Sequence, residues 1–177
     1  SVKSVNDIRV IQLIDSLEPG GAERMAVTIA NTLGNELAFS GLVVTRLEGS
    51  LKESINSNVE YLFLKKEISL DFFALMRLRK FIKKNNVTIV HAHGSSYFFA
   101  VLLKLIIPTI NIFWHDHLGN RLERNKTNFI IKKASHLFSG VFTVNEELQE
   151  WALQNLKTTN IHFIPNFIED KTTEKAA

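Results

Sequence analysis

The 177-residue chain is 45% hydrophobic and 22% charged, carries a formal charge of +3 and contains no cysteine. That length and balance suit one soluble domain with a sizeable core. The missing cysteines exclude a disulfide framework, a thiolate metal site and a cysteine nucleophile, and fit a reducing compartment.

Short β-branched runs alternate with longer helical ones along the chain. Strands are predicted over 8–15, 41–47, 59–64, 88–93, 110–115, 140–144 and 161–164. Helices are predicted over 22–38, 50–57, 71–85, 96–107, 125–138 and 146–156. Strands without strict polar alternation, separated by helices, predict an α/β fold: a doubly wound, mainly parallel sheet of about seven strands with helices on both faces. The expected strand order is 3-2-1-4-5-6-7, with ligands bound beyond the carboxyl ends of the first and fourth strands, where the winding reverses. The N-terminal "SVKSVNDIRV" lacks the apolar stretch and cleavage site of a signal peptide. The longest apolar run, "YFFAVLLKLII", includes Lys104 and is far shorter than the roughly 20 residues of a membrane span. A cytoplasmic location is expected.

Four turns therefore come into question: "DSLEPGGAE", "HAHGSS", "WHDHLGN" and "VNEE". Gly20 and Gly21 precede a helix whose positive end suits an anion, although a glycine pair also serves a tight strand-to-helix turn. The third glycine of a dinucleotide fingerprint is missing, and Glu48 lies too far along to be its ribose-binding acid, which disfavours a nicotinamide enzyme. His91 and His93 end one strand and His115 and His117 follow on the next, so each pair points to one side. With Asp116 they could hold a divalent ion. Alternatively His91 belongs to the core, while His93 and His115 bond substrate hydroxyls or backbone. Ser95 or Ser96 reads as an N-cap, as does Asn145 ahead of Glu146 and Glu147. No nucleophile elbow, Walker loop or zinc-protease motif is present.

Between 65 and 84, Lys65, Lys66, Arg77, Arg79, Lys80, Lys83 and Lys84 face only Glu67 and Asp71, a local excess above the whole chain's +3. Such a segment is either a solvated helix face or a docking surface for an anionic membrane. No nucleic-acid partner is expected.

Five segments, "LEPGGAER", "IVHAHG", "IFWHDH", "VFTVNEELQEW" and "IHFIPNFIE", run in order from about residue 8 to 169. Together they resemble the N-terminal half of the GT-B-fold glycosyltransferases of family four, retaining enzymes related to sucrose synthase and bacterial mannosyltransferases. The resemblance implies a hexosyltransferase that takes a nucleotide sugar as co-substrate, needs no metal or other cofactor, and transfers to a glycan or lipid-linked acceptor. It places Gly20 and Gly21 against the donor diphosphate and acceptor, His115 at the reacting carbon as the catalytic residue, and His93 on the acceptor side. Gly94, Asp116 and Asn145 fall in the same motifs and are expected at the substrate. Two positions depart from the family pattern: Asn145 replaces its Ser or Thr, and Phe167 replaces the Gly that follows "IPN". The resemblance also implies an acceptor-side domain over 1–169, a polar linker or tail over 170–177, and a donor-binding domain beyond Ala177. The chain alone is then expected to be inactive and, through its basic segment, to sit at the inner membrane face. Two other readings stand beside this one, a free-standing nucleotide- or anion-binding module and a metal-dependent hydrolase.

Overall fold

The computed structural model describes Ser4 and residues 7–117 and 125–165. The seven strands of these residues are β1 (Arg9–Ser16), β2 (Phe39–Leu47), β3 (Glu60–Phe63), β4 (Ile89–His93), β5 (Asn111–Asp116), β6 (Phe138–Thr143) and β7 (Ile161–Phe163). They form one sheet in the order β3-β2-β1-β4-β5-β6-β7, as expected, and every pairing is parallel.

The helices are α1 (Gly21–Glu36), α2 (Phe72–Lys84), α3 (Tyr97–Ile106), α4 (Asn125–Ala134) and α5 (Glu146–Asn155). α2 shows how sequence sets an element. Asp71 accepts a bond from the Ala74 amide at 2.9 Å to start it, and Lys83 and Lys84 complement the dipole at its end. Leu75, Leu78 and Ile82, spaced by three and four, face the core. Asn86, with φ +51, then turns the chain so that Val87 re-enters it.

Helices cover both faces unequally. Residues of α2, α3, α4 and α5 pack over Leu13, Val43, Val90, Ala92, Ile112, Trp114 and Val141 on one face. α1 packs over Ile14, Leu42 and Val44 on the other. Because strand side chains alternate, Asp15 falls on the first face and Gln12, His91, His93 and His115 on the second.

Two expected helices are shorter than predicted. Over 50–57 only a 3-10 helix, Ser50–Ser54, forms, anchored by Leu51, whose amide bonds the Leu17 carbonyl at 3.2 Å. The approach is close: a Cβ on Gly49 would stand 2.2 Å from the Leu17 and Glu18 backbone, so only glycine fits. The helix expected over 125–138 gives way after Ala134 to a 3-10 turn, Ser135–Leu137, and Phe138 already belongs to β6. Ser135 Oγ donates to the Lys132 carbonyl at 2.7 Å and accepts from the Lys157 amide at 2.9 Å, which competes with the helix ladder. The expected tail over 170–177 lies outside the described residues.

Candidate active site

The register between β4 and β5 sets His93 beside His115 and, two residues earlier, His91 beside Phe113. His91, His93 and His115 are buried, and His117 is partly so. The four rings form a block two layers deep. In one layer His91 Nε2 and His115 Nδ1 share a hydrogen bond at 3.0 Å, with ring planes 8° apart. In the other His93 Nδ1 and His117 Nε2 do the same at 2.9 Å. The layers stack at 4.3 Å between His91 and His93 and at 4.1 Å between His115 and His117.

Gln12 of β1 fixes the tautomers of the second layer. His93 Nε2 donates to Gln12 Oε1 at 2.7 Å, so a neutral His93 accepts at Nδ1 and His117 donates from Nε2. That leaves His117 Nδ1 a buried acceptor. Neither it nor His115 Nε2 nor Gln12 Nε2 has a partner among the described residues. Gln12 was not foreseen as a site residue; its signal is a single amide inside the apolar run "IRVIQLID".

Ligand atoms of His91, His93 and His115 lie within 4.8 Å of one another. Yet a tetrahedral ion needs lone pairs that converge on one point about 2 Å from each nitrogen. Nearly parallel stacked rings hold their in-plane lone pairs side by side, so an ion would require at least one ring to leave the stack. The block as it stands does not fit a zinc centre.

The remaining predicted residues divide. Gly94 adopts φ +56, a glycine conformation, and its carbonyl accepts the Trp114 indole N–H at 2.9 Å. Asp116 is buried and, by strand alternation, faces away from the histidines. Asn145 caps α5, accepting the Leu148 amide at 2.8 Å. Ser96 takes the N-cap position of α3, as expected, but its side chain makes no capping bond. The Gly94–Ser96 3-10 turn feeds the helix directly, so Ser96 is already helical and its one hydroxyl proton is shared between the Leu13 and His93 carbonyls, each at 2.8 Å. Ser95 Oγ instead donates to Asp15, whose other oxygen accepts Thr45 Oγ1 at 2.5 Å. Glu48 is committed locally to Lys52 and the Tyr61 hydroxyl, each at 2.6 Å.

Gly20 and Gly21 give an unexpected answer. Gly20 is extended, with φ −159 and ψ 172, a conformation open to any residue, and a Cβ there meets only the movable carboxylate end of Glu23. A Cβ on Gly21 would have no atom within 4 Å among the described residues. The turn itself does not demand either glycine.

The model of the Glycosyltransferase Family 4 domain matches residues 19–172. The chain belongs to that family. No match by sequence is found among curated proteins. Among solved structures the family 4 domain is similar to HepE of Anabaena in complex with UDP, at 15% identity and a TM-score of 0.69 over 91% of this chain and 44% of that one. It is also similar to a glycosyltransferase of Rickettsia africae, at 15% identity and 0.64 over 89% and 43%. The lipopolysaccharide outer core galactosyltransferase WaaB in its apo form aligns at 13% identity and 0.64 over 93% and 47%. These likenesses show the GT-B-type fold, and the chain spans less than half the length of each neighbour.

Burial holds the four histidines of this block uncharged. It pushes His91 down to about 3, with a lesser contribution from the charge of His117, and His117 down to about 4. His93 and His115 are also held well below the ordinary range, first by burial and then by their neighbours' charges. The unfolded chain binds protons at these rings below about pH 6.5 and the folded chain does not. Stability is therefore complete above that pH and is lost as pH falls toward the folded values, by about 1.4 kcal/mol per pH unit for each ring. Denaturant unfolding followed between pH 7 and 4.5 should give a slope approaching four protons. A slope of one proton or less would show that the block is not buried and neutral.

Proposed function

We propose that the domain is the acceptor-side half of a retaining hexosyltransferase that takes a nucleotide sugar and delivers it to a glycan or lipid-linked acceptor. The observation that carries this reading is the open space at Gly21. If the fold does not need the missing Cβ, what needs it is a ligand against the backbone at the start of α1, where the dipole favours a diphosphate. HepE, a structure of similar fold, is described with UDP and with UDP and glucose, which supports a nucleotide-sugar donor. In this reading His115 contacts the sugar undergoing transfer, and His93, held by Gln12 and His117, orients the acceptor. Asp116 and Asn145 act through the strand and helix they belong to. The chemistry is assigned to positioning and fixed dipoles, with no metal or other cofactor.

The proposed membrane contact takes a form that the charge run alone did not suggest. Lys66 is only 7% exposed and Arg77 donates to the Leu64 carbonyl, so two of the seven basic residues have other engagements. Between them Ile68, Leu70, Phe72 and Phe73 are 64–74% exposed. They rim a groove of about 780 Å³ whose charged lining is Lys65 and Arg77 with Glu67 and Asp71. The exposed apolar tips, with the basic residues Arg79, Lys80, Lys83 and Lys84 further along α2, suit an anionic bilayer surface, each basic charge adding about 1 kcal/mol. This would place the domain at the inner face of a membrane, although no described helix is long and apolar enough to cross one.

Three outcomes are expected. In the full-length enzyme Gly21→Ala should fold with equal or up to about 1 kcal/mol greater stability, while His115→Gln should stay folded. Both should lose transfer, His115→Gln by about 10²–10³-fold. Wild-type turnover in either folded variant would remove the role given to that residue. Because one wall of a cleft cannot orient two reactants, the chain alone should transfer no sugar and bind UDP- or GDP-sugars more weakly than about 10 µM by calorimetry. Tighter binding would favour a free-standing binding module. Finally, vesicles containing acidic lipid should sediment the protein, and the double variant Phe72→Ser/Phe73→Ser should abolish this. Equal binding to neutral vesicles, or none to either, would sink the membrane contact.

A further inference from the structure

The histidine block ends in two unsatisfied nitrogens that stand side by side. Toward β4, His115 bonds His91 through Nδ1 and His117 bonds His93 through Nε2. The two nitrogens of an imidazole lie on nearly opposite sides of its ring, so His115 Nε2 and His117 Nδ1 both face away from β4. Their rings stack at 4.1 Å with planes 11° apart, which makes the two atoms neighbours. Both are buried without a partner among the described residues, so each has lost water and received no bond in exchange. Gln12 Nε2, in the same condition, lies at the other end of the second layer, on a strand two places from β5.

The proton on each ring follows from the chain of bonds. Burial keeps all four rings neutral, so each carries one proton. In the second layer His117 Nε2 donates to His93, and His93 Nε2 donates to Gln12, so both N–H groups point toward β1. Rings stacked at 4.3 and 4.1 Å repel when their dipoles run parallel and attract when they are opposed. The first layer therefore runs the other way, with His91 Nε2 donating to His115 Nδ1. His115 Nε2 then holds a proton that no group receives, and His117 Nδ1 a lone pair that no group uses.

We propose that His115 Nε2 and His117 Nδ1 bind one sugar hydroxyl between them, the first donating to its oxygen and the second accepting its proton, and that Gln12 is the positioning residue that sets this polarity through His93. A hydroxyl both accepts and donates through one atom, whereas an ether or carbonyl oxygen only accepts and an ammonium only donates. Distance separates this site from a metal centre. An oxygen at about 2.9 Å reaches both nitrogens while the rings stay stacked, which an ion at about 2 Å cannot do. The partly exposed His117 ring forms the outer wall of the site, just past the carboxyl end of β5. Neither His117 nor Gln12 was among the residues that the family resemblance placed at the substrate. The hydroxyl belongs either to the transferred sugar or to the acceptor, and naming it a sugar hydroxyl rests on the transferase reading.

Nitrogen NMR of the full chain at neutral pH should show all four rings protonated at Nε2. Protonation at Nδ1 of His93 and His117, or of His115, reverses the polarity and overturns the proposal. Gln12→Leu should mix the tautomers of His93 and His117, and Gln12→Glu, whose carboxylate also accepts, should restore them; a merely structural glutamine would move neither. Methyl hexosides, standing for the acceptor, and UDP- and GDP-hexoses, standing for the donor, are then titrated in. One class should shift His115 Nε2 and His117 Nδ1 together and saturably, and that class names the source. Within it, the monodeoxy analogue that lacks the bound hydroxyl should bind about tenfold more weakly than the others. No saturable shift with any sugar, or equal affinity across the monodeoxy series, overturns the site, and the wild-type spectra decide this even if the Gln12 variants do not fold. A full-length enzyme that transfers sugar while these resonances stay still loses only this site. One that binds a hydroxyl here and transfers nothing loses only the transferase reading.

Discussion

The pairing of β1 with β4 is the contact on which the rest of the molecule depends. Residues about 80 apart in sequence are joined in register, Val10 with Ile89 through Leu13 with Ala92. From that seam the chain winds outward in both directions. The polar contacts of interest cross the same seam. Gln12 reaches His93 on one face, and Asp15 reaches Ser95 on the other. Slip this pair by one residue and both constellations would lose their partners, because alternate side chains would exchange faces.

The two faces use that seam differently. On one, four neutral imidazoles are held by each other and by Gln12, a rigid array whose dipoles need no rearrangement when a substrate arrives. On the other, the Lys66 ammonium lies over the Phe99 ring, and the Asp15 carboxylate accepts the hydroxyls of Thr45 and Ser95. Between them the turn at Gly20 and Gly21 contributes only bare backbone and space.

Much of this was legible in the sequence. Strand order followed from the alternation of short β-branched runs with helices and from the handedness of crossovers. The convergence of four histidines followed from their spacing of two, since that spacing fixes a common face. The pairing of the rings did not, because it depends on His93 standing level with His115, a register that no local pattern encodes. Lys66 was hidden for a related reason. Within "FLKKEIS" it is indistinguishable from Lys65, and only the backbone turn between strand and loop buries one while exposing the other. Ser96 takes the foreseen N-cap position without the capping bond, because that bond needs an extended residue and a 3-10 turn runs into the helix there.

The sheet also ends on its shortest strands. β3 has four residues and β7 three, while the nine-residue β2 and eight-residue β1 lie inside. An outer strand offers its unpaired backbone groups to any extended chain that meets it, and the number it offers scales with its length. A visiting strand would find only three or four residues to pair with at either side. A seven-stranded parallel sheet, which could otherwise grow by stacking copies edge to edge, thus limits its own self-association.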